Sequence, residues 1–470
     1  MKNNLFSLGI LALSPPMVMA YEKGKINIVF LLADDLRYDA VGYMNKTTIQ
    51  TPHIDCLAND GTVFTNMYAT SAISCCSRAG IFTGMYNRRN GITDFSGTLE
   101  GEALRNTYPM LMKDNGYYVG FIGKYGVGNY LPQKEFDYWR GLAGQGTYYQ
   151  KDKDGSFRHL TGMIAEQIEE FLDNRDETKP FCLSVSFKSP HTESEQDPFP
   201  FDKKYSSMYE NEHFSKPETF GESYYRQFPE SFKKDGKWEN EGHVRFKNRY
   251  GTDEKYQSSI KGYYRLIAGL DETIGRLRLK LKEMGIEENT VIIFTSDNGY
   301  YWGEHGLEGK WYGHEESIRL PLVIYDPRQK KTVKRVNEIT LNIDLTSTML
   351  DYAGIKQPER MQGESLRPLV AGQKVKWRKK FLYEHLMHLD KKGWYVYIPQ
   401  TEGLVTKRYK YMRYFVNNQS QTPIYEELFD IQRDPHEKNN LIKDKPSLAG
   451  RMVTTQVGLP YSYYDETIAA

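Results

Sequence analysis

A chain of 470 residues is long enough to bury a large core and to divide into one large and one small domain. Its 62 Lys and Arg against 61 Asp and Glu leave a formal charge of +1, which excludes a global field suited to nucleic acid or an anionic membrane surface. Only four Cys occur (Cys56, Cys75, Cys76, Cys182), too few for a disulfide framework in a chain of this size. Adjacent Cys75 and Cys76 lack metal-finger spacing and read as small apolar fillers.

The chain opens on Lys2 and an apolar run from Leu5 to Leu13, followed by the small-residue cleavage pattern Val18-Met19-Ala20. Pro15 and Pro16 interrupt the run, which is too short to span a bilayer. The expectation is a signal peptide over residues 1–20, cleaved near Ala20, and a periplasmic or secreted protein with no membrane span. Four short apolar runs then end abruptly in polar residues. Ile26 to Ala33 runs into Asp34-Asp35, and Tyr117 to Gly123 runs into Lys124. Phe181 to Phe187 leads to Ser189-Pro190-His191, and Val291 to Thr295 leads to Ser296-Asp297-Asn298-Gly299. Runs of this length, rich in Val, Ile and Phe, predict buried parallel strands. Helical patterns lie between them, a short one at Ser77 to Phe82 and the clearest at Tyr263 to Met284, stopped by Gly285. Alternation of this kind implies an open α/β sheet, which binds ligands at the carboxyl ends of its strands.

Residues from about Thr192 to Tyr256 show no sustained periodicity and read as a long insertion over that edge. From about Lys374 the pattern changes to short strands at Phe381–Tyr383, Gly403–Val405, Tyr409–Met412 and Glu427–Asp430. The expected organisation is a mostly parallel α/β domain over 21–373 and a smaller antiparallel α+β subdomain over 374–470.

Asp34, Asp35, Asp297 and Asn298 offer only hard oxygen donors, a set that suits Ca²⁺ or Mg²⁺ and argues against zinc. Three carboxylates converging without a cation would repel one another. Taken singly, Asp34-Asp35 is equally a helix cap and Asp297-Asn298-Gly299 a tight turn.

Ser74-Cys75-Cys76-Ser77-Arg78, followed by Thr83-Gly84, resembles the maturation signature of the type I sulfatases, Cys/Ser-x-Pro/Ala-x-Arg with a Thr-Gly beyond. Cys76 stands where that family usually has Pro or Ala. Further along, Gly303-Glu304-His305-Gly306-Leu307 with Lys310, Pro190-His191, Thr51-Pro52-His53-Ile54-Asp55, Asp344 to Asp351 and Glu427-Leu428-Phe429-Asp430 resemble other motifs of the same family. The resemblance implies an alkaline-phosphatase-like fold and hydrolysis of sulfate esters, with a sulfated glycan as the substrate class. It implies that a maturation enzyme oxidises Ser74 to formylglycine (3-oxoalanine), whose hydrate is the nucleophile. It also implies one Ca²⁺ held by Asp34, Asp35, the Ser74-derived group, Asp297 and Asn298. By the same resemblance Arg78, Lys124 and Lys310 hold anionic oxygens, and His191 protonates the leaving oxygen or contacts the sulfate.

Two alternatives stay open at this level. One is a phosphodiesterase or phosphonate hydrolase of the same superfamily. The other is a non-catalytic protein that binds sulfated glycans, if Ser74 is not oxidised. One departure is informative: the family's Gly-Lys-Trp-His-x-Gly is Gly123-Lys124-Tyr125-Gly126-Val127-Gly128, so its histidine is replaced by Gly126. His305 and His314 are the nearest substitutes in motif terms. Specificity is expected from the 192–256 insertion and from His385, His388, Lys407, Arg408 and Arg413.

Overall fold

The computed structural model describes residues 25–44, 49–152, 154–329, 334–387, 390–391, 394–416 and 422–457. The expected signal peptide and His388 lie outside the described residues. Among the described residues no helix is long and apolar enough to cross a membrane.

Eight strands form the main sheet: β1 (Asn27–Ala33), β2 (Thr62–Phe64), β3 (Tyr118–Lys124), β4 (Tyr138–Leu142), β5 (Phe181–Ser186), β6 (Thr290–Ser296), β7 (Leu322–Tyr325) and β8 (Arg335–Val336). Their spatial order is β8-β2-β7-β6-β1-β5-β3-β4. The run β6-β1-β5-β3-β4 is parallel throughout, and β7 is antiparallel to both its neighbours. Every residue of β1 is buried, and alternate residues feed two cores, Val29 and Leu31 on one side and Ile28, Phe30 and Leu32 on the other. A strand covered on both faces must be apolar at every position, which is why these runs are continuous in the sequence rather than alternating.

Helices cover both faces. Six carry the description: α1 (Pro52–Asp60), α2 (Ser74–Thr83), α3 (Leu160–Asn174), α4 (Asp253–Glu283), α5 (Asp344–Tyr352) and α6 (Pro446–Val457). α3 and α4 contribute Ile164, Ile168, Leu266 and Ile267 to one core, while α2 and α5 contribute Ile81, Phe82, Leu345 and Met349 to the other. Two helices differ from the sequence expectation. α4 begins ten residues earlier, because the Thr252 hydroxyl accepts the Lys255 N–H and caps it before any apolar period is visible. α2 begins at Ser74 rather than Ser77, and all of its residues are buried, so no amphipathic pattern marks its first turn.

A second, wholly antiparallel sheet contains β9 (Lys380–His385), β10 (Gln400–Thr406), β11 (Tyr409–Phe415) and β12 (Tyr425–Asp430) in sequential order. With α6 it packs on a third core that also takes in Ile73, Cys75 and Cys76 at the start of α2. The fold is thus a mostly parallel sheet flanked by helices with a small antiparallel C-terminal sheet. The 192–256 stretch is built of short helices, Glu222–Tyr225, Glu230–Lys233 and Glu241–Tyr250, the first two too brief to leave a period in the sequence.

Candidate active site

Strand register alone brings the polar strand ends together. Ala33 pairs with Ser296, so Asp34 and Asp297 emerge side by side from β1 and β6. Leu32 and Gly123 each pair with Ser186, which sets Lys124 at the end of β3 against the Lys188–His191 turn that follows β5. The edge that collects them is the carboxyl edge of the parallel strands.

Ser74 is the first residue of α2, preceded by Ile73 with extended backbone and no side-chain cap. The N–H groups of that first turn are not used within the helix, so the hydroxyl sits at its positive end. Ser74 Oγ donates to Asp34 Oδ1 at 3.1 Å and lies 3.5 Å from Asn298 Oδ1. One turn on, Arg78 Nε donates to Asp297 Oδ2 at 2.9 Å and one terminal nitrogen donates to the Lys124 carbonyl at 2.9 Å and to Ser186 Oγ. Its other terminal nitrogen is buried without a hydrogen bond, 3.7 Å from Asp34 Oδ2. Lys124 Nζ lies 2.5 Å from Asp34 Oδ2, and Lys310 Nζ lies 2.5 Å from Asp35 Oδ1. Gly309 and Trp311 on either side of Lys310 have φ of 93° and 88°, so this loop doubles back and aims the lysine inward.

Asp35 itself is left-handed, at φ 64°, a conformation that costs a non-glycine residue about 1–3 kcal/mol. Its N–H donates to Asp297 Oδ1 at 3.2 Å, and its carbonyl accepts the Tyr263 hydroxyl of α4 at 2.6 Å, which hold it there. Asn298 Nδ2 donates to Asp35 Oδ1 at 2.6 Å. Asp34, Asp35 and His191 offer ligand atoms within 4.8 Å of one another. Asp297 adjoins this group, but its Oδ1 accepts the Asp35 and Asn298 N–H groups and its Oδ2 accepts Arg78.

The charges are buried and do not balance comfortably. Burial, reinforced by Asp34, pushes the Asp297 carboxyl up to about 6. Burial also raises Asp35, although Lys310 opposes it. Asp34 goes the other way: burial is outweighed by Lys124, His191, Arg78 and Lys310, which hold it well below the usual carboxylate range. Burial lowers Lys124, with Arg78 and Lys310 adding to the effect.

His191 Nδ1 faces the Thr192 carbonyl at 2.5 Å and therefore carries its proton there, leaving Nε2 toward Asp35 at 3.7 Å. Two residues that sequence reasoning missed set this turn. The Tyr148 hydroxyl donates to the His191 carbonyl at 2.8 Å and to the Lys188 carbonyl at 3.1 Å, and Lys188 Nζ pairs with Glu193 at 3.5 Å. Lys188 was legible in the same Lys-Ser-Pro-His string. Tyr148 had no local signal, since its role arises across the chain.

Gly126 has φ 72°, and a Cβ there would lie 2.7 Å from Arg78 Cδ, so any side chain collides with the guanidinium arm. His305 and His314 stack on each other with ring centroids 4.1 Å apart; His314 Nε2 reaches Glu427 of the C-terminal sheet at 3.3 Å and its Nδ1 meets the Tyr301 hydroxyl at 2.7 Å. Among the described residues the hydrogen bonds of Ser74 Oγ go to Asp34 and Asn298, not to either ring. Of the positions expected to set specificity, Lys407, Arg408 and Arg413 are engaged with Glu338, Asp430 and Glu402, and His385 is buried.

A sulfatase family model matches residues 26–355, and one described as N-sulphoglucosamine sulphohydrolase, C-terminal, matches residues 303–455. An N-acetylglucosamine-6-O-sulfatase from Bacteroides thetaiotaomicron is 29% identical over 483 aligned positions, covering 89% of this chain and 83% of that protein. A solved protein in complex with its substrate D-glucosamine-2-N,6-O-disulfate superposes with a TM-score of 0.77 at 26% identity, over 94% of this chain and 99% of that one. A phosphonate monoester hydrolase from Silicibacter pomeroyi shares the fold, with a TM-score of 0.75 at 22% identity over 92% of this chain and 94% of its own. With the family model covering most of the chain and the polar strand ends gathered at one edge, the protein belongs to the sulfatase family and is a sulfuric ester hydrolase.

Proposed function

We propose that the protein is an exported, calcium-dependent carbohydrate sulfatase that removes sulfate from a sulfated glycan, with Ser74 matured to formylglycine by a dedicated enzyme. The observation that carries this reading is the position of Ser74: its oxygen lies at the start of α2 against Asp34 and Asn298, with Arg78 one turn along the helix. The organisation into a catalytic part over 21–373 and a subdomain over 374–470 belongs to the same proposal, as does export through the 1–20 segment.

The donor set fits a hard divalent ion. Asp34, Asp35, Asp297 and Asn298 converge in a buried site, and burial first, with the Asp34 charge adding to it, raises the Asp35 and Asp297 carboxyls, a cost that a bound divalent cation would offset. These residues and the Ser74-derived group would hold Ca²⁺, which supplies positive charge for the sulfate oxygens. Oxidised and hydrated, residue 74 supplies one hydroxyl to attack sulfur and a second through which sulfate is expelled.

The chain's own side chains do the rest. Lys124 and Lys310 are placed to take the anionic oxygens of the sulfate, a preorganised arrangement worth more in a dry site than in water. The unpartnered terminal nitrogen of Arg78 is a donor without an acceptor, available to an oxygen on residue 74. His191, fixed by Thr192 and by Tyr148 beneath its carbonyl, presents Nε2 to the site; with its first proton on Nδ1, it gives a proton to the leaving sugar oxygen only as the imidazolium, a form that burial opposes and Asp34 favours.

Mass spectrometry of the Ser74 peptide from a competent host tests the proposal. The expected result is a peptide lighter by two hydrogens, together with desulfation of sulfated mono- and disaccharides. Full turnover by protein whose Ser74 is unmodified would overturn it.

A further inference from the structure

The His191 imidazole takes its direction from one peptide unit. Its Nδ1 proton goes to the Thr192 carbonyl at 2.5 Å. That carbonyl shares a planar trans peptide with the Glu193 N–H, so the two point in opposite directions and can only turn together. The Glu193 N–H donates to the Pro198 carbonyl at 2.9 Å. Fixing one end of the peptide therefore fixes the other, and with it the side on which the ring presents Nε2. Ser194 Oγ closes the loop between them, donating to the Asp197 carbonyl at 3.2 Å and accepting the Asp197 N–H at 3.0 Å.

The Glu193 carboxylate works on the same turn from a second direction. Its Oε2 accepts the Tyr148 N–H at 2.6 Å and lies 3.5 Å from Lys188 Nζ. Lys188 is 2% exposed, and its ammonium also donates to the Gln145 and Gly146 carbonyls at 3.3 and 3.2 Å. Tyr148 returns its hydroxyl to the Lys188 and His191 carbonyls. Residues 145–148 and 188–193 are thus clasped together, and Glu193 joins the two side chains, Tyr148 and Lys188, that form the clasp. Burial pulls the Lys188 pKa down, and Glu193 opposes it most among the neighbouring charges. Without this carboxylate the ammonium keeps two carbonyls and the face of the Tyr148 ring at 5.0 Å, and the Tyr148 N–H loses its acceptor.

We propose that Glu193 is a positioning residue: through Tyr148, Lys188 and the 192–193 peptide it holds the His191 imidazole with Nε2 toward the sulfate ester. The inference rests on His191 working in the site proposed above, and not on whether it gives a proton or binds sulfate there.

Nuclear magnetic resonance of the full-length Ser74→Ala protein carrying isotope-labelled histidine tests the placement without turnover. The His191 Nδ1–H resonance, identified by its loss in His191→Ala, should lie downfield and exchange slowly with water. Glu193→Ala should shift it and speed its exchange, and Glu193→Gln, which keeps an acceptor for the Tyr148 N–H, should restore most of it. On matured protein, Glu193→Ala should lower kcat on a sulfated disaccharide about tenfold or more, the scale of a small misplacement, with KM little changed. When His191 is already Ala, the same substitution should cost less than about twofold, because coupled residues do not add. A merely structural role would lower activity alike in both backgrounds. If Glu193→Ala does not fold, Tyr148→Phe takes its place in both measurements, removing the hydroxyl beneath the His191 carbonyl. Absence of the resonance from the parent protein, a resonance undisturbed by the substitution, or equal losses of kcat with and without His191 would overturn the proposal. An unmatured Ser74 leaves the resonance measurement intact, and a failure confined to Glu193 leaves the sulfatase reading standing.

Discussion

Two buried clusters of charge sit in this molecule and resolve the same difficulty in opposite ways. At the junction with the C-terminal sheet, Lys410 of β11 is fully buried and lies 2.7 Å from Glu315 and 2.9 Å from Glu437, while His314 lies 3.3 Å from Glu427. There burial opposes Lys410, but Glu315 and Glu437 outweigh it and raise its pKa. Burial likewise opposes charge on His314, but Glu427 and Glu437 prevail and raise it. Burial disfavours the Glu315 anion, yet Lys410 and Arg319 hold it low. Only Glu437 is pushed up by burial. In the catalytic cluster Asp34 alone is held low; Asp35 and Asp297 are raised and Lys124 lowered, burial leading in each case. The first cluster pairs its charges with one another and ties the His314–Glu315 segment to the C-terminal sheet. The second is left short of its ideal, the pattern of a site that gains its missing interactions from a ligand.

Mutations can break that contrast. Asp297→Ala should reduce turnover by about 10²–10³-fold or more and remove calcium-dependent thermal stabilisation, because a ligand that binds only the folded state raises its stability. Wild-type calcium stoichiometry and activity in this variant would refute the assignment. His191→Ala should cost roughly 10²–10⁴-fold on a glycan substrate and far less on an activated aryl sulfate, whose phenolate needs little protonation. Equal losses on both would reassign His191 to sulfate binding.

The junction should behave in reverse. Lys410→Met removes the cation between Glu315 and Glu437, leaving Glu437 without its lysine and Glu315 with Arg319 alone, and should destabilise the protein by about 3–5 kcal/mol in denaturant melts, while the folded fraction keeps its kcat. A large loss of kcat without loss of stability would erase the distinction between the clusters. The smallest effect concerns His314. Its raised pKa means that its contribution is complete below the ordinary value of 6.5 and is lost as pH rises through the folded value. Thermal melts from mildly acid to mildly alkaline pH should therefore fall less steeply for His314→Gln than for wild type. Parallel curves would show that the imidazolium contributes nothing.

The parts that were legible in the sequence share a physical reason. Strands buried on both faces must be apolar without interruption, so β1, β3, β5 and β6 and the residues at their ends, Asp34, Lys124, His191 and Asp297, stood out directly. Three-dimensional register was not legible: no local feature announces that Ala33 meets Ser296. The early start of α2 was hidden because its first turn is buried all round, and Tyr148 was hidden because it acts on a turn 40 residues away through carbonyls. The insertion lacked a period because its early helices are single turns.

Gly126 carries a consequence for how this sequence can change. Restoring the family's usual histidine there is not a one-letter reversion, because the missing Cβ is where the Arg78 arm now runs and the backbone is left-handed. The two positions are epistatic: the guanidinium arm must move before an imidazole can enter, and moving it first releases Asp297 and the Lys124 carbonyl. A histidine at 126 therefore needs a change in the path of the Arg78 arm as well, and either change made alone loses contacts present here.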